Sequence, residues 1–376
     1  MIDLYASKIR SLTVRDRLRI LERTGGADFS SNDYLALSNS KALADLVVQG
    51  LEQGVPVGAS GSRLLRGHHE EHELLEEEAA RFFGAARMLY FGSGYAANLA
   101  VLSTLPQAGD LILHDALVHA SAHDGMRASR AEIRSVAHND ADAFEAAIKQ
   151  WRFAGHAGRP WLVVESLYSM DGDCAPLEAL VDIADRYQAF LIVDEAHATG
   201  VYGSEGRGLA SAWEGRENII TIHTCGKALG SLGALVGAHS VLCEYLINRA
   251  RPFIYATAPP PIQAYTVRHA LRLIREEPQR RLKLLEQVTA THSLFRQKFG
   301  HSPSETQILP VMIGDDRRAV ELSRQLVEAG FDIRAIRPPT VPARTARLRI
   351  TLTLNVDAKT TGDMLSCLAD LLEKAI

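Results

Sequence analysis

Residues 189–197 read AFLIVDEAH, and residues 218–230 read NIITIHTCGKALG. Each is a short, nearly unbroken apolar run closed by polar residues, the pattern of a strand buried on both faces of a sheet. Further strand candidates are RMLYFG (87–92), DLILHD (110–115), EIRSVAH (132–138), WLVVES (161–166) and ALVGA (234–238). Between two of these runs, Leu177, Leu180, Val181, Ala184 and Tyr187 follow helical spacing, with Pro176 at the first turn. Strands alternating with helices predict an α/β fold with a mainly parallel central sheet flanked by helices on both faces.

Pro259, Pro260 and Pro261 close this region, and charged helical patterns follow from about Gln263 to Gln297. A strand ILPVMIG (308–314), a helix from about Arg317 to a stop at Gly330, and a strand ARLRITLTLN (346–355) come next. In the last of these, Leu348, Ile350, Leu352 and Leu354 alternate with Arg347, Arg349, Thr351 and Thr353, so the leucine face is read as core and the arginine face as turned elsewhere. The organisation predicted is an N-terminal segment (1–40), a large domain (41–262) and a smaller α+β C-terminal domain (263–376).

A formal net charge of -4 over 376 residues gives no basic surface for nucleic acid, and no polybasic run points to a membrane. The opening MIDLYASKIRSLTVRDRLRILER is amphipathic and charged, without the apolar core of a secretory signal, so a cytoplasmic enzyme is expected. Cys174, Cys225, Cys243 and Cys367 form no C-x-x-C pair, which argues for reduced thiols and against a zinc knuckle.

Two motifs mislead. FLIVDEAH imitates the magnesium-binding strand of a helicase, but the only Gly-Lys pair, Gly226-Lys227, follows it in the chain and has Ala228 where a phosphate loop needs a hydroxyl. His68, Glu71 and His72 fit the H-x-x-E-H spacing of a zinc site, yet they open the glutamate-dense run HEEHELLEEEAARF, which reads as a solvated helix face. No metal is expected.

What remains matches the needs of a pyridoxal cofactor: an amine for its aldehyde, a carboxylate for its ring nitrogen, an anion cradle for its phosphate and a flat partner for its ring. Asp194 ends an apolar strand, where ligands of an open α/β sheet collect, and a buried carboxylate there requires a cationic partner. Lys227 follows the next apolar strand among small residues, a setting that lowers an amine's pKa. FGSGYAAN runs from strand through a tight turn into a helix, so the N–H groups of Gly94 and Tyr95 can open toward an anion. His119 of LVHAS is the candidate for the ring face; taken singly it reads equally well as a core histidine. Ser169, His197 and Thr224 are hydrogen-bonding residues that local turns would also explain.

Together FSSNDYLALS (29–38), GASGSR (58–63), FGSGYAAN (91–98), LVHAS (117–121), YSMDGD (168–173), VDEAHATGVYGSEGRG (193–208), TCGKALG (224–230), IYATAPP (254–260) and AIRPPTVPARTARLRITLT (335–353) resemble the α-oxoamine synthases, fold-type I pyridoxal-phosphate transferases. These condense an amino acid with an acyl thioester and release carbon dioxide. The resemblance implies that Lys227 is the Schiff-base lysine, that Asp194 pairs with the ring nitrogen, that His197 and Ser169 approach the ring hydroxyl, and that His119 stacks on the ring. It gives the phosphate to Gly94, Tyr95 and Thr224, with Thr257 reaching across from the neighbouring subunit of a homodimer with shared sites. It gives the amino-acid carboxylate to Arg349 with Asn32 nearby, and the acyl side to Thr340, with Arg19 as the N-terminal substrate contact. Strand alternation alone leaves Arg347 and Arg349 equal. RPPTVP followed by ARLRITLT points to the member that joins L-alanine to a pimeloyl thioester, carried on coenzyme A or a carrier protein. A glycine-using relative and an aminotransferase on the same fold are the alternatives.

Overall fold

The computed structural model describes residues 1–21, 23 and 25–373. They form two compact units: one comprises residues 1–34, 170–173 and 282 onward, the other 35–169 and 174–281. The boundary read at residue 263 falls inside helix Pro261–Glu276 of the second unit. That helix is fastened to helix Glu70–Phe83 of the same unit by charge. Arg268 holds the buried Glu71 over 2.7 Å and Glu78 over 3.2 Å, and Arg272 also holds Glu78.

The second unit is built on strands β1 (Arg87–Phe91), β2 (Leu111–Asp115), β3 (Glu132–Val136), β4 (Pro160–Glu165), β5 (Phe190–Asp194), β6 (Ile219–Thr224) and β7 (Ala234–Ala238). Their order is β1-β7-β6-β5-β4-β2-β3; every neighbouring pair is parallel except the two made by β7. Successive residues of a strand face opposite sides of the sheet, and each side has its own core. Ile192 packs with Ile112, Val163 and Ile220 on one, while Leu191 and Val193 pack with Leu113, Leu162 and Val164 on the other. That double burial is why the strands read as continuous apolar runs. The helix read from residues 177–187 spans Leu177–Arg186, with Pro176 at its N-cap and not in its first turn.

The first unit carries an antiparallel sheet, β9-β10-β8, of β8 (Ile308–Gly314), β9 (Arg334–Ile336) and β10 (Ala346–Thr351). Helix Asp316–Glu328 lies against it, capped by Asp315, whose carboxylate accepts from the Arg318 N–H. Here the arginine face departs from its reading: Arg347 and Arg349 are buried, as Leu348 and Ile350 are. Both cations survive burial because each is hydrogen-bonded, as described below.

The glutamate-dense helix also differs from its solvated reading. Glu71 and His72 are buried, Glu76 accepts from the Arg63 guanidinium and the Tyr90 N–H, and the His72 ring bonds the Pro259 carbonyl at 2.7 Å. The arginines that neutralise this face lie 13 to 197 residues away in sequence, beyond the reach of a local reading. Among the cysteines, Cys225 and Cys243 are buried, and burial pushes both thiols up, Cys243 to about 12; Cys174 is exposed and Cys367 half-buried. Among the described residues no helix is long and apolar enough to cross a membrane.

Candidate active site

The carboxyl ends of β1, β2, β4, β5 and β6 carry or lead into Gly94, Tyr95, His119, Ser169, Asp194, His197, Thr224 and Lys227. Asp194 is the last residue of β5 and is 9 % exposed. Its Oδ2 accepts from the side-chain amide of Asn98 at 2.8 Å and its Oδ1 from the Ala196 N–H at 2.9 Å. Two neutral donors orient the carboxylate without cancelling its charge, leaving it suited to a cationic ring nitrogen.

Lys227 lies in the turn between β6 and β7, its Nζ donating to Thr224 Oγ1 at 3.4 Å. Thr224, the last residue of β6, also donates to the Ala196 carbonyl at 3.4 Å. His119 caps helix Ala120–Arg127, its Nδ1 within 2.7 Å of Ser121 Oγ. Desolvation lowers the His119 pKa from its usual value; Asp194 opposes that shift and Lys227 adds to it. Histidine, carboxylate and amine therefore share one electrostatic environment. The loop before His119 is tied down by Asp115, which accepts from the Leu117 N–H at 2.8 Å and from His138 Nδ1 at 2.9 Å.

Helix Gly94–Thr104 begins where β1 ends, and Ser93 caps it by accepting the Ala96 N–H at 3.1 Å. The N–H groups of Gly94 and Tyr95 belong to the first turn, which has no intrahelical acceptors for them, and they carry the positive end of the helix dipole. Gly94 also meets the Thr224 side chain: a Cβ at position 94 would stand 2.6 Å from Thr224 Cγ2. The glycine and the threonine thus form one cradle, and the Tyr95 side chain turns outward to donate its hydroxyl to Asp124. Ser169 and His197 are buried, and the Ser169 N–H donates to Glu165 Oε2 at 3.1 Å.

An amine, an oriented carboxylate, a histidine face and a helix N-terminus pared to glycine are the groups pyridoxal phosphate requires, so the residues fit that cofactor. Thr257 stands apart, exposed on the loop whose Ala258 N–H bonds the Gly61 carbonyl at 2.9 Å.

In the other unit, Arg349 Nη2 donates to Asn32 Oδ1 at 3.0 Å and Nη1 to Thr351 Oγ1 at 2.8 Å. Arg347 instead forms an ion pair with Asp171 and donates to the Met170 carbonyl at 3.3 Å. The alternation that left the two arginines equal is broken by these partners, because Arg347 already holds a carboxylate. Arg19 Nη2 donates to Thr340 Oγ1 at 3.2 Å, so these two predicted contacts meet.

Two residues escaped the sequence reading. Asn98 lies one helical turn past Gly94, and its amide is a signal only once that helix is known to face Asp194. Glu165 ends β4 as Asp194 ends β5, and the run WLVVE carried the same pattern as FLIVD.

The model of the family described as "Aminotransferase class I and II" matches residues 24–365. The 8-amino-7-oxononanoate synthase of Hydrogenovibrio crunogenus is 42% identical over 349 residues, covering 91% of this chain and 86% of that one. That of Methylococcus capsulatus is 42% identical over 359 residues, covering 95% and 92%. Among solved structures, serine palmitoyltransferase from S. paucimobilis with a bound PLP–myriocin adduct superposes with a TM-score of 0.88 at 25% identity, covering 99% of this chain and 98% of that one. The 8-amino-7-oxononanoate synthase from Francisella tularensis gives 0.75 at 28%, covering 93% and 98%.

Proposed function

The chain belongs to the 8-amino-7-oxononanoate synthases within the class I and II aminotransferase family, and from that premise we propose how its residues divide the work. The reaction is the pyridoxal-phosphate-dependent condensation of L-alanine with a pimeloyl thioester, with loss of carbon dioxide, in biotin biosynthesis. Serine palmitoyltransferases superpose with the higher TM-score, but they do so at 25% identity, against 42% for the oxononanoate synthases, and sequence separates members that share a fold.

The cofactor, when bound, supplies an aldehyde that takes up amines and a protonated pyridine that draws electron density from the amino-acid α-carbon. Lys227 would hold the aldehyde, and its amine is the group placed to take the α-proton of L-alanine and later return one. Asp194, steadied by Asn98 and the Ala196 N–H, keeps the proton on the ring nitrogen. His119 covers the ring face, Ser169 and His197 contact its hydroxyl, and Gly94, Tyr95 and Thr224 hold the phosphate. Arg349, with Asn32, takes the alanine carboxylate; Thr340 and Arg19 serve the acyl side. The new carbon–carbon bond forms at the thioester carbonyl as the thiol leaves, and carbon dioxide leaves from the alanine carboxylate. We read the enzyme as a cytoplasmic homodimer in which Thr257 completes the phosphate site of the other subunit.

The observation that carries this reading is that Asp194, held by Asn98 and the Ala196 N–H, closes β5 beside β6, whose Thr224 accepts from the Lys227 amine. It is tested by supplying purified enzyme and cofactor with L-alanine or glycine and with pimeloyl-, succinyl- or acetyl-CoA. Free thiol, carbon dioxide and 8-amino-7-oxononanoate in equal amounts are expected with alanine and the pimeloyl thioester. Amino-group exchange without thiol release would overturn it in favour of an aminotransferase.

A further inference from the structure

Two carboxyl groups end adjacent parallel strands of the large sheet. Asp194 closes β5 and Glu165 closes β4, and the two residues are direct register partners. Paired strands run about 4.8 Å apart, so both carboxyls occupy one small, dry region. Glu165 is 3 % exposed. Its Oε2 accepts the Ser169 N–H at 3.1 Å, and Oε1 is buried with no hydrogen-bond partner in the protein. The charged groups acting on it are Asp194, across the strand pair, and Lys227, from the turn after β6.

A dry site with two neighbouring carboxyls does not hold both as anions unless each has its own cation. Asp194 has the better claim to the charge, with an amide and a main-chain N–H both donating to it. Glu165 has one main-chain donor on one side and a bare oxygen on the other, a setting that costs an ionised carboxylate more than a neutral carboxylic acid.

We propose that Glu165 is a positioning residue for the reaction: an uncharged acid that anchors the main chain at Ser169 and leaves Asp194 as the one ionised carboxyl of the strand pair. This rests on the reading above, in which Ser169 contacts the cofactor. Burial, and then the charge of Asp194, push the Glu165 carboxyl up to about 8. Ionisation above that pH puts a second negative charge beside Asp194 and weakens the division of labour. Glu165 therefore sets an alkaline limit on the enzyme.

The test uses the holoenzyme and two variants. Glu165→Ala removes the anchor and lowers kcat on the order of 100-fold, the scale of a site displaced by about 1 Å. Glu165→Gln keeps both the shape and the acceptor, and recovers activity to within about tenfold of the native enzyme near neutral pH, since one neutral hydrogen bond replaces another. In the native enzyme kcat falls as pH rises through about 8, and in Glu165→Gln that limb moves upward or disappears. An unmoved limb in the Gln variant, or an Ala variant as active as the Gln variant, overturns the proposal.

Two readouts do not depend on turnover. A carboxyl whose folded pKa is raised binds its proton more tightly in the native than in the unfolded state, so its stabilisation is whole below about 4.5 and is lost as pH rises toward about 8. The native melting temperature is expected to fall over that window relative to Glu165→Gln. The infrared spectrum of the native holoenzyme at pH 7 is expected to show a buried protonated-carboxyl band that is lost above about 8. Absence of the band sinks the proposal even if neither variant folds. If the band is present while alanine and pimeloyl thioester give no product, the fault lies with the functional reading and not with Glu165.

Discussion

The side-chain amide of Asn98 donates to Asp194 Oδ2 over 2.8 Å, tying the first turns of helix Gly94–Thr104 to the end of β5. The helix whose first turn is proposed to hold the phosphate therefore also orients the carboxylate proposed for the ring nitrogen. The two ends of a planar ligand are set by one rigid element, which fixes their spacing better than two loops would.

Asp194→Asn should retain cofactor but lose turnover by about 100- to 1,000-fold, the scale on which removing one preorganised electrostatic group acts. Asn98→Ala should cost about tenfold, since it removes one charge-assisted donor and leaves the Ala196 N–H in place. Steady-state kinetics with cofactor absorbance checks both. Near-native turnover of Asp194→Asn would make the carboxylate structural.

Lys227→Ala should abolish both turnover and the borohydride-dependent fixation of cofactor to the chain. Peptide mapping reads the second effect directly. Fixation at any other lysine would reassign the role.

Arg349 and Arg347 should separate by phenotype. Arg349→Lys loses a planar fork matched to a carboxylate, so KM for L-alanine should rise tenfold or more by order of magnitude. Arg347→Ala should instead destabilise, by about 1–3 kcal/mol, because it empties a buried position and leaves the part-exposed Asp171 without its partner. Equal effects of the two on KM, with no loss of stability, would show that the Asp171 pair does not distinguish them.

Acid should weaken the second unit through His269. Burial, followed by Arg268 and Arg272, lowers its pKa from 6.5 to about 4. A histidine depressed in the folded state contributes stability that is whole above 6.5 and is lost as pH falls to about 4, here about 2–3 kcal/mol. His269→Phe keeps the stack on Tyr265, whose ring centroid lies 4.0 Å away, and should narrow the difference in urea stability between pH 7 and pH 4.5. An unchanged difference would place the acid sensitivity elsewhere.

Activity and dimerisation should be linked. Mixing inactive Lys227→Ala with an inactive Thr257→Glu chain should restore part of the activity, because one site in each hybrid receives both intact halves. Hybrids no more active than their parents after confirmed subunit exchange would exclude a shared site.

Six strands of the large sheet were legible because burial on both faces makes a strand continuously apolar, the edge strand β3 being the exception, and Asp194 and Lys227 stood out as polar residues closing such runs. Legibility failed where the partner is distant in sequence. Glu71 reads as solvated until Arg268, 197 residues on, is seen to hold it. The arginines of β10 read as turned away from the core until Asp171 and Asn32 are seen to bind them. Glu165 was hidden differently: it carries the same pattern as Asp194, but a pattern does not say which of two adjacent acids keeps its proton.

The cysteines bear on how the enzyme can be watched at work. With Cys225 and Cys243 buried and their thiols pushed up, a maleimide dye at neutral pH should attach only to Cys174 and Cys367. One of these belongs to each compact unit, so a donor and an acceptor fluorophore can be installed without altering the chain. Energy transfer between them would then report, molecule by molecule, whether alanine or the thioester changes the separation of the two units during a catalytic cycle.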